Sequence, residues 1–202
     1  MADVLYQTFS TPEIDSRLEW LNPPDKWTID PLSSSLRVEP APNTDFWRRT
    51  HYGFEADNGH FLFAQTAGDV VVTTRLRSYP VHQYDQAGLM IRFSPECWLK
   101  VSAEYEPDGP SQLGAVVTQH GYSDWSLQPL PAGRNELWLR VRRKGDDYFI
   151  EHSATGEAWA LMRMAHLSPG NVANLACGLY ACSPKGAGYR AEFDFLRIER
   201  PG

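Results

Sequence analysis

The sequence predicts an all-β fold, and three observations predict it. About a dozen short segments of the 202-residue chain alternate apolar and polar residues, which is the period of a half-buried strand. Turn-forming residues separate these segments at the short spacing typical of sandwiches and barrels. No segment shows the period of a long amphipathic helix, which disfavours a parallel sheet with crossover helices. We therefore expect two antiparallel sheets packed face to face, with residues 1–202 forming a single domain.

The first half of the chain supplies strands and turns in a regular order. The stretch from Trp20 to Trp27 brackets a turn, because the paired prolines of NPPDK bar both a helix and a central strand. A hairpin is expected around Pro31–Ser35. The strands predicted in this half are Leu5–Phe9, Trp27–Ile29, Leu36–Glu39, His60–Gln65 and Val70–Ser78.

The segment WRRTHY, Trp47–Tyr52, allows two interpretations. Asp45 or Thr44 could cap one short helical turn over it, and a loop is an equal alternative. As a functional element, the segment would lie over a groove and offer His51 as a ligand or proton donor. As a structural element, it would place Trp47 in the core and leave its arginines solvated.

The chain is organised around one stretch, Asp85–Ser126, which reads as three strands joined by short turns. Successive side chains of a strand point to opposite faces, so each strand here has an apolar and a polar face. In Trp98–Tyr105 the core face carries Leu99, Val101, Ala103 and Tyr105. The opposite face carries Trp98, Lys100, Ser102 and Glu104. The preceding strand repeats this division, with Leu89, Ile91 and Phe93 against Gln86, Met90 and Arg92.

The second half of the chain continues the strand pattern. A hairpin is predicted around Gly145-Asp146-Asp147, and Ala158–Met164 is read as a strand although its period also fits a short helix. The predicted strands of this half are Glu136–Lys144, Tyr148–Ser153, Ala158–Met164, Leu175–Cys182 and Tyr189–Glu199.

Composition and charge narrow the class of protein. The formal net charge is -6, so no overall field attracts nucleic acid or an anionic membrane. No apolar run is long enough to span a bilayer, and MADVLYQTFS lacks the regions of a signal peptide. Three cysteines without a C-x-x-C spacing indicate reduced thiols. We expect a cytoplasmic protein with no nucleic-acid or membrane partner.

A candidate binding surface follows if the alternating strands share one sheet. Its non-core face would be locally basic and would hold exposed indoles, which stack on the apolar faces of sugars. Arg and Lys would bind hydroxyls, carboxylates or phosphates. An acidic or phosphorylated sugar fits this set, and a solvated face with cross-strand ion pairs is the alternative. The residues are Arg75, Arg92, Trp98, Lys100, Glu104, Trp138 and Arg140.

The triplet SDW, Ser123-Asp124-Trp125, is read as a turn after a strand. As a binding element, it would let Asp124 accept sugar hydroxyls while Trp125 stacks on the ring. As a structural element, its Ser and Asp would cap the turn and Trp125 would close the edge of the sandwich. We favour a structural role for Trp125 and keep Asp124 as a candidate ligand.

Several segments, in this order, resemble one widespread family without an assigned biochemical function. They are TDFWRRTHYGF (Thr44–Phe54), DQAGLMIR (Asp85–Arg92), WLKVSAEY (Trp98–Tyr105), VVTQHGYSDWS (Val116–Ser126) and LYACSPKGAGYRAEF (Leu179–Phe193). The family includes the fungal protein named for regulation of enolase and is similar to the concanavalin A-like lectin/glucanase fold. The resemblance implies a curved jelly-roll sandwich whose concave sheet binds sugars in relatives. It implies no activity, because a fold does not fix a function.

Glycoside hydrolysis needs two carboxyl groups, about 5–5.5 Å apart in a retaining enzyme and about 6.5–9.5 Å apart in an inverting one. Glucanases of this fold class carry acidic residues alternating along one strand. Here Lys100 and Ser102 stand where further acids would be, which leaves Glu104 as the one candidate catalytic acid or base. Asp85 and Asp124 could supply a partner carboxylate. This departure from the glucanase pattern disfavours hydrolysis.

Metal and cofactor sites have little support in the sequence. The six histidines are scattered, without an H-x-H or H-E-x-x-H spacing. Folds of this type can hold calcium, and Asp108 or Asp146-Asp147 could contribute oxygens, but acidic residues in turns are common. We predict neither a metal site nor a cofactor.

Three functional hypotheses stay open. The first is a module that binds a carbohydrate or small anionic sugar in a groove. The second is a glycan-active enzyme that uses Glu104, and the third is a regulatory protein whose exposed rings contact a protein partner. The candidate ligand-binding residues are Trp47, His51, Arg75, Asp85, Gln86, Arg92, Trp98, Lys100, Glu104 and Asp124.

Overall fold

The structure, a computed structural model, describes residues 2–130 and 135–201, and within these ranges every regular element is a strand. The strands are, in chain order, β1 (Ala2–Gln7), β2 (Leu18–Leu21), β3 (Lys26–Asp30), β4 (Ser35–Glu39), β5 (Phe46–Arg48), β6 (Glu55–Asp57), β7 (His60–Ala67), β8 (Val71–Tyr79), β9 (Gln86–Ser94), β10 (Cys97–Glu104), β11 (Gln112–Gln119), β12 (Tyr122–Pro129), β13 (Glu136–Lys144), β14 (Asp147–Ser153), β15 (Ala160–His166), β16 (Asn174–Cys182) and β17 (Arg190–Arg200). Nothing in the described ranges forms a helix long and apolar enough to cross a membrane.

Two antiparallel sheets carry most of these strands. Sheet 1 has eight strands in the order β15-β14-β13-β8-β17-β4-β3, and β1 also pairs with β17. Sheet 2 has seven strands in the order β12-β11-β10-β9-β16-β7-β2. A separate small ribbon pairs β5 with β6. The predicted two-sheet antiparallel sandwich is confirmed, as are the hairpins β3–β4 and β13–β14 and the strand character of β15.

The main core lies between the two sheets and follows the predicted alternation. Leu99 and Val101 of β10 point into it from sheet 2, while Leu139 and Val141 of β13 point into it from sheet 1. Burying each such side chain contributes about 1.5–3 kcal/mol relative to exposure. The opposite faces of the same strands are therefore free to carry polar side chains.

A second apolar cluster covers part of the outer face of sheet 2. It forms where the connection between β4 and β7 folds back across the sheet; we call residues 42–58, which carry β5 and β6, the roof. Phe46 of the roof packs edge-on against Trp98 and Tyr180, with ring centroids 6.2 and 6.4 Å apart. The members of the cluster are Phe46, Trp47, Phe61, Met90, Trp98, Val116, Ala176, Tyr180 and Cys182.

Strand β5 of the roof includes Trp47 and Arg48, so the helical-turn interpretation of Trp47–Tyr52 is wrong and only the part after Arg48 forms a loop. Two consecutive apolar side chains, Phe46 and Trp47, are both buried here. Backbone pairing with β6 and a hydrogen bond from the Arg48 amide to the Ser123 hydroxyl (2.9 Å) satisfy the main chain without a helix.

The stretch Asp85–Ser126 forms four strands, β9 to β12, where three were predicted. The extra strand arises from a two-residue hairpin turn at His120 and Gly121, whose φ angles are 55° and 75°. Two positive φ values in succession are typical of a type I′ turn. The SDW triplet consequently lies within β12 rather than in a turn, and Trp125 is paired with Val116 of β11.

Candidate functional site

A pocket of about 670 Å³ lies on the outer face of sheet 2, between β10, β11 and the roof. This size is within the usual range for small-molecule sites, about 300–1,000 Å³. Its walls are mostly aromatic and its floor is polar. The lining residues are Asn43, Asp45, Trp47, Tyr52, Phe54, Glu55, Ala56, Asp57, Asn58, Tyr84, Gln86, Lys100, Glu104, Val116, Trp125, Pro184 and Lys185.

The floor of the pocket holds a buried ion pair. Lys100 points to the outer face because its neighbours Leu99 and Val101 point into the main core, and it is only 3% exposed. Its Nζ lies 2.9 Å from Oδ1 of Asp45 in the roof. The ammonium also lies 5.7 Å from the ring centroid of Tyr180. Lys100 therefore ties the roof to the centre of sheet 2.

Glu104 lies four residues further along the same face of β10 and is 5% exposed. Gly114 on β11 leaves it room, since a Cβ there would be 2.9 Å from the Glu104 Oε2. Burial raises the pKa of Glu104 to about 7, although Lys100 acts to lower it. Within the described ranges, no donor hydrogen-bonds to this carboxyl group.

Trp125 presents an unused hydrogen-bond donor at the same place. Its indole nitrogen is buried and has no acceptor among the residues that the structure describes. A Cβ on Gly114 would be 3.5 Å from this nitrogen as well as close to Glu104, so the indole N–H and the carboxyl group border the same small space. Buried polar groups are normally hydrogen-bonded, and an exception needs an explanation.

Aromatic rings form a continuous wall from the roof to the edge of β9. Trp47 is central, with ring centroids 5.7 Å from Tyr52 and 6.2 Å from Trp125. Trp125 is in turn 6.4 Å from Tyr84. Phe54 extends the wall at the rim, where it is 45% exposed.

Gln86 completes the polar floor. Its Oε1 accepts a hydrogen bond from the Tyr180 hydroxyl at 3.1 Å, and its Nε2 donates to the Tyr84 carbonyl at 3.1 Å. A carboxamide has two N–H groups, so one donor is left after these bonds. The side chain is therefore fixed in orientation.

The pocket is not the basic surface that the sequence predicted. Its lining contains two cations, Lys100 and Lys185, against the four carboxyl groups of Asp45, Glu55, Asp57 and Glu104. The charge of Lys100 is already balanced by Asp45. The prediction failed because the acidic residues come from the roof, which the strand alternation does not describe.

Four predicted ligand residues line this pocket, namely Trp47, Gln86, Lys100 and Glu104. Trp98 does not, and the expectation of an exposed indole at this position is wrong. It points to the outer face as predicted, but the roof covers that face there and its exposure is 0%. Its indole nitrogen donates to the Pro95 carbonyl at 3.1 Å, so the ring is a packing element.

Arg92 and Asp85 form structural contacts instead of lining the pocket. Arg92 binds Asp57 through two hydrogen bonds of 2.7 Å and thereby anchors β6. Asp85 is fully buried, and its carboxylate accepts hydrogen bonds from the amides of Val81 and His82 and from the Ser183 hydroxyl. Neither side chain lines the pocket.

The three other predicted ligand residues lie elsewhere. Arg75 is on β8 in sheet 1, where it pairs with Glu136 and Asp194, so it shares no groove with Lys100. Asp124 is exposed on β12 and pairs with Arg163 at 2.7 Å, on the face opposite Trp125. His51 is exposed in the loop after β5, outside the pocket lining, with its ring against Tyr52.

The pocket residues that sequence reasoning missed come mainly from two places. Tyr52, Phe54, Asp45 and Asp57 belong to the roof, for which the sequence offered no strand pattern. Trp125 was assigned a structural role, although recognition of the His120-Gly121 turn would have placed it on the same face as Val116. In the described ranges no three His, Cys, Asp or Glu side chains come together as a metal ion would require.

The two-sheet sandwich and the pocket on one outer face define a concanavalin A-like jelly roll of the lectin/glucanase type. The structure of a β-1,3-glucanase from Mycobacterium marinum aligns over 98% of this chain and 99% of the glucanase, with a TM-score of 0.60 and 10% identity. The GH43 protein BlXynB from Bacillus licheniformis aligns with a TM-score of 0.78 and 16% identity. It covers 97% of this chain, which corresponds to only 39% of BlXynB. These likenesses establish the fold alone.

The chain belongs to the family described as "Protein of unknown function (DUF1349)", which it matches over residues 20–201. It is 32% identical to Regulation of enolase protein 1 of Saccharomyces cerevisiae over 90% of this chain and 89% of that protein. It is 26% identical to a putative beta-xylosidase of Escherichia coli, over 62% of this chain and 26% of that protein. The crystal structure of a functionally unknown protein from Saccharomyces cerevisiae, 32% identical, aligns over 93% of this chain and 98% of that chain, with a TM-score of 0.85.

Proposed function

We propose that the pocket on sheet 2 binds a saccharide. The observation that carries this proposal is the pair formed by the Glu104 carboxyl group and the Trp125 indole N–H. Both groups lie beside Gly114: the Trp125 indole nitrogen is buried without an acceptor, and the Glu104 side chain, 5% exposed, accepts no hydrogen bond from any residue in the described ranges. An unpartnered buried polar group costs about 1–3 kcal/mol, so a ligand that satisfies both groups gains from their prior desolvation.

A hydroxyl group is the chemical group that matches this pair. It donates one hydrogen bond and accepts others, so it can donate to the Glu104 carboxylate while it accepts from the Trp125 indole. A carboxylate or phosphate ligand would accept from the indole but meet the Glu104 carboxyl group with like charge. The pair therefore favours a neutral polyol or sugar over an anion.

The aromatic wall supports the same ligand class. Sugar rings have apolar C–H faces, and indole and phenol rings provide flat surfaces of matching size. Trp47 and Trp125 lie near this polar pair, while Tyr52 and Phe54 extend the wall to the pocket mouth. A ligand with an apolar face and a ring of hydroxyls would contact both kinds of surface at once.

The charge of the pocket lining narrows the candidate ligands from acidic sugars to neutral ones. The lining carries four carboxyl groups and two lysines, and Lys100 is engaged by Asp45. We therefore expect neutral mono- and oligosaccharides to bind better than acidic or phosphorylated sugars. The name of one relative, a putative beta-xylosidase, supports a saccharide as the ligand class.

The proposal is tested by thermal-shift and calorimetric titration with neutral, acidic and phosphorylated sugars. A ligand present at 100 times its dissociation constant stabilises the fold by about 2.7 kcal/mol, which is easily measured. A neutral sugar should give the largest shift. A response to none of the sugars would reject the proposal and direct attention to a protein partner of the exposed rings.

We predict that Trp125→Phe weakens the binding of the best sugar about fivefold, because it removes one neutral hydrogen bond worth about 1 kcal/mol and keeps the ring. Isothermal titration would measure this change. The matched control is Trp159→Phe, just before β15 of the opposite sheet, which should leave the affinity unchanged. If Trp125→Phe bound the sugar as tightly as the unaltered protein, the indole N–H would make no hydrogen bond to the sugar.

Glycan hydrolysis is the second candidate function, and one observation favours it. The pKa of Glu104 is raised to about 7, the range of a general acid at neutral pH. Asp45 and Asp57 line the same pocket as candidate second carboxylates. Release of reducing sugar that is abolished by Glu104→Gln would support hydrolysis, and release that survives this change would exclude Glu104 as its catalyst.

The proposed location is the cytoplasm. Cys97, Cys177 and Cys182 are all free thiols in the structure, and reduced cysteines are usual in that compartment. Fluorescent tagging of the chain at either end would test this location.

A further inference from the structure

We propose that the outer face of sheet 1 carries a second binding site, for a small anion attached to a flat apolar body. This site is independent of the saccharide pocket, which lies on the other sheet. It occupies a cavity of about 370 Å³ bordered by β8, β13 and β17. In a chain whose net charge is -6, the lining of this cavity contains three arginines and one glutamate.

The centre of the site is a row of three side chains across neighbouring strands. Thr73 of β8 is paired directly with Arg140 of β13 on one side and with Arg197 of β17 on the other. Directly paired residues point to the same face, which is the outer face here because Val72 and Leu139 point into the core. Strand spacing places the two arginine Cα atoms about 10 Å apart. Thr73 thus lies between two arginines, of which Arg197 is held by an ion pair with Glu199 at 3.2 Å and lies 5.3 Å from the ring centroid of Tyr6.

The threonine hydroxyl is available to such an anion. Thr73 is 9% exposed, and its hydroxyl makes no hydrogen bond to any residue in the described ranges. A hydroxyl can donate to a phosphate or carboxylate oxygen, and guanidinium groups bind the same oxygens through charge-assisted hydrogen bonds. The row therefore brings hydroxyl and guanidinium donors to the lining of one cavity.

Neighbouring groups hold Arg140 in place. The guanidinium of Arg140 lies 4.0 Å from the ring centroid of Trp159, and its Nε donates to Glu151 at 2.7 Å. Glu151 is also bound by Arg142 through two hydrogen bonds of 3.0 Å. Each guanidinium has five N–H donors, so Arg140 keeps donors for a ligand after its bond to Glu151. The site is ordered before a ligand arrives, which lowers the entropic cost of binding.

Aromatic rings of the protein beside the row indicate which chemical group the rest of the ligand would carry. Trp138 and Phe195 stand beside the row with their centroids 5.4 Å apart, and Gly156 packs directly on the face of Trp138. A bare phosphate would use only the row, whereas a phosphate or carboxylate on an aromatic body would also contact these rings. The structure assigns the cavity to this second type of compound.

The test uses isothermal titration of the full chain at a fixed ionic strength of about 0.15 M, because screening at that salt removes weak long-range attraction. The probes are phenyl phosphate, benzoate, inorganic phosphate and benzyl alcohol. Phenyl phosphate and benzoate distinguish the two anionic groups. Inorganic phosphate and benzyl alcohol each lack one half of the ligand, so both should bind at least tenfold more weakly than the better aromatic anion.

Two variants probe the row itself. Thr73→Val removes the hydroxyl while keeping a β-branched strand residue, and Arg140→Gln removes one charge while Glu151 keeps its bonds to Arg142. Each should weaken binding about tenfold, as expected for a hydrogen bond to a charged group. Lys144→Gln is the matched control, since it removes the same charge from an exposed position on β13 outside the cavity.

The proposal is overturned if neither aromatic anion binds with a dissociation constant of about 1 mM or less. It is also overturned if Lys144→Gln weakens binding as much as Arg140→Gln, since the attraction would then be general. Trp125→Phe in the other pocket should leave these affinities unchanged. Far-ultraviolet circular dichroism and melting curves establish that each variant is folded before its affinity is compared.

Discussion

Replacement of Asp45 by Asn should lower the free energy of unfolding by about 3–5 kcal/mol, because it leaves a buried ammonium without its counter-charge. Lys100 is only 3% exposed, and its Nζ lies 2.9 Å from the Asp45 carboxylate. The neighbouring rings of Trp98 and Tyr180, at 5.8 and 5.7 Å, offer partial compensation but no negative charge. Urea unfolding of the two proteins would measure the difference.

Two further variants make this prediction specific to the buried pair. Asp147→Asn breaks an exposed contact with His166 and should change stability by less than about 1 kcal/mol. The double variant Asp45→Asn/Lys100→Met removes both charges and should recover a large part of the loss, because buried ion pairs are often replaceable by apolar groups. A loss for Asp45→Asn no larger than that for Asp147→Asn would contradict the role of the pair.

Replacement of Glu104 by Gln should stabilise the protein at pH 8 by about 3 kcal/mol and have little effect at pH 4. Burial raises the pKa of Glu104 from 4.5 to about 7, so the folded protein binds more protons than the unfolded chain between these values. Stability therefore falls as the pH rises through that window and is level below and above it. Each pKa unit corresponds to about 1.4 kcal/mol. Glutamine carries no titrating proton and avoids this loss.

The measurement is the free energy of unfolding of both proteins at several pH values between 4 and 8. Glu157→Gln, at an exposed position, is the matched control and should follow the pH dependence of the unaltered protein. If the Glu104→Gln variant had the same dependence of stability on pH as the unaltered protein, the pKa of the Glu104 carboxyl group would not be raised by folding. The same titration bears on the proposed saccharide site, since the Glu104 carboxyl group would change from hydrogen-bond donor to acceptor as the pH rises through about 7.

The two-sheet sandwich could be predicted because each strand and turn is specified by residues that are close together in the sequence. Side chains of β10 alternate between the main core and the outer face, and Leu99 and Val101 occupy the sides that their positions predict. The hairpin β13–β14 was equally clear from its turn residues, Gly145 to Asp147. In such cases the two-residue alternation and the turn-forming residues are sufficient to predict the strands and the turn between them.

The candidate site was less predictable because it depends on which strands become neighbours. Consecutive strands β8 and β9 lie in different sheets, so Arg75 and Arg92 are separated although their sequence patterns look alike. Trp98 was placed on the correct face, but its burial depends on the roof, which joins residues distant in sequence. Alternation identifies the faces of a strand and does not reveal what covers them.

The roof and the two-sheet sandwich differ in the strand pairing that holds them. The main core and both sheets involve none of the pairing between β5 and β6, which joins residues only within the roof. Opening of this segment would therefore cost less than global unfolding and would expose Phe46 and Lys100 while the sandwich persists. Amide hydrogen exchange in β5 would report this local opening. Such an opening would give a ligand of the proposed saccharide site a route in and out that leaves the sandwich intact.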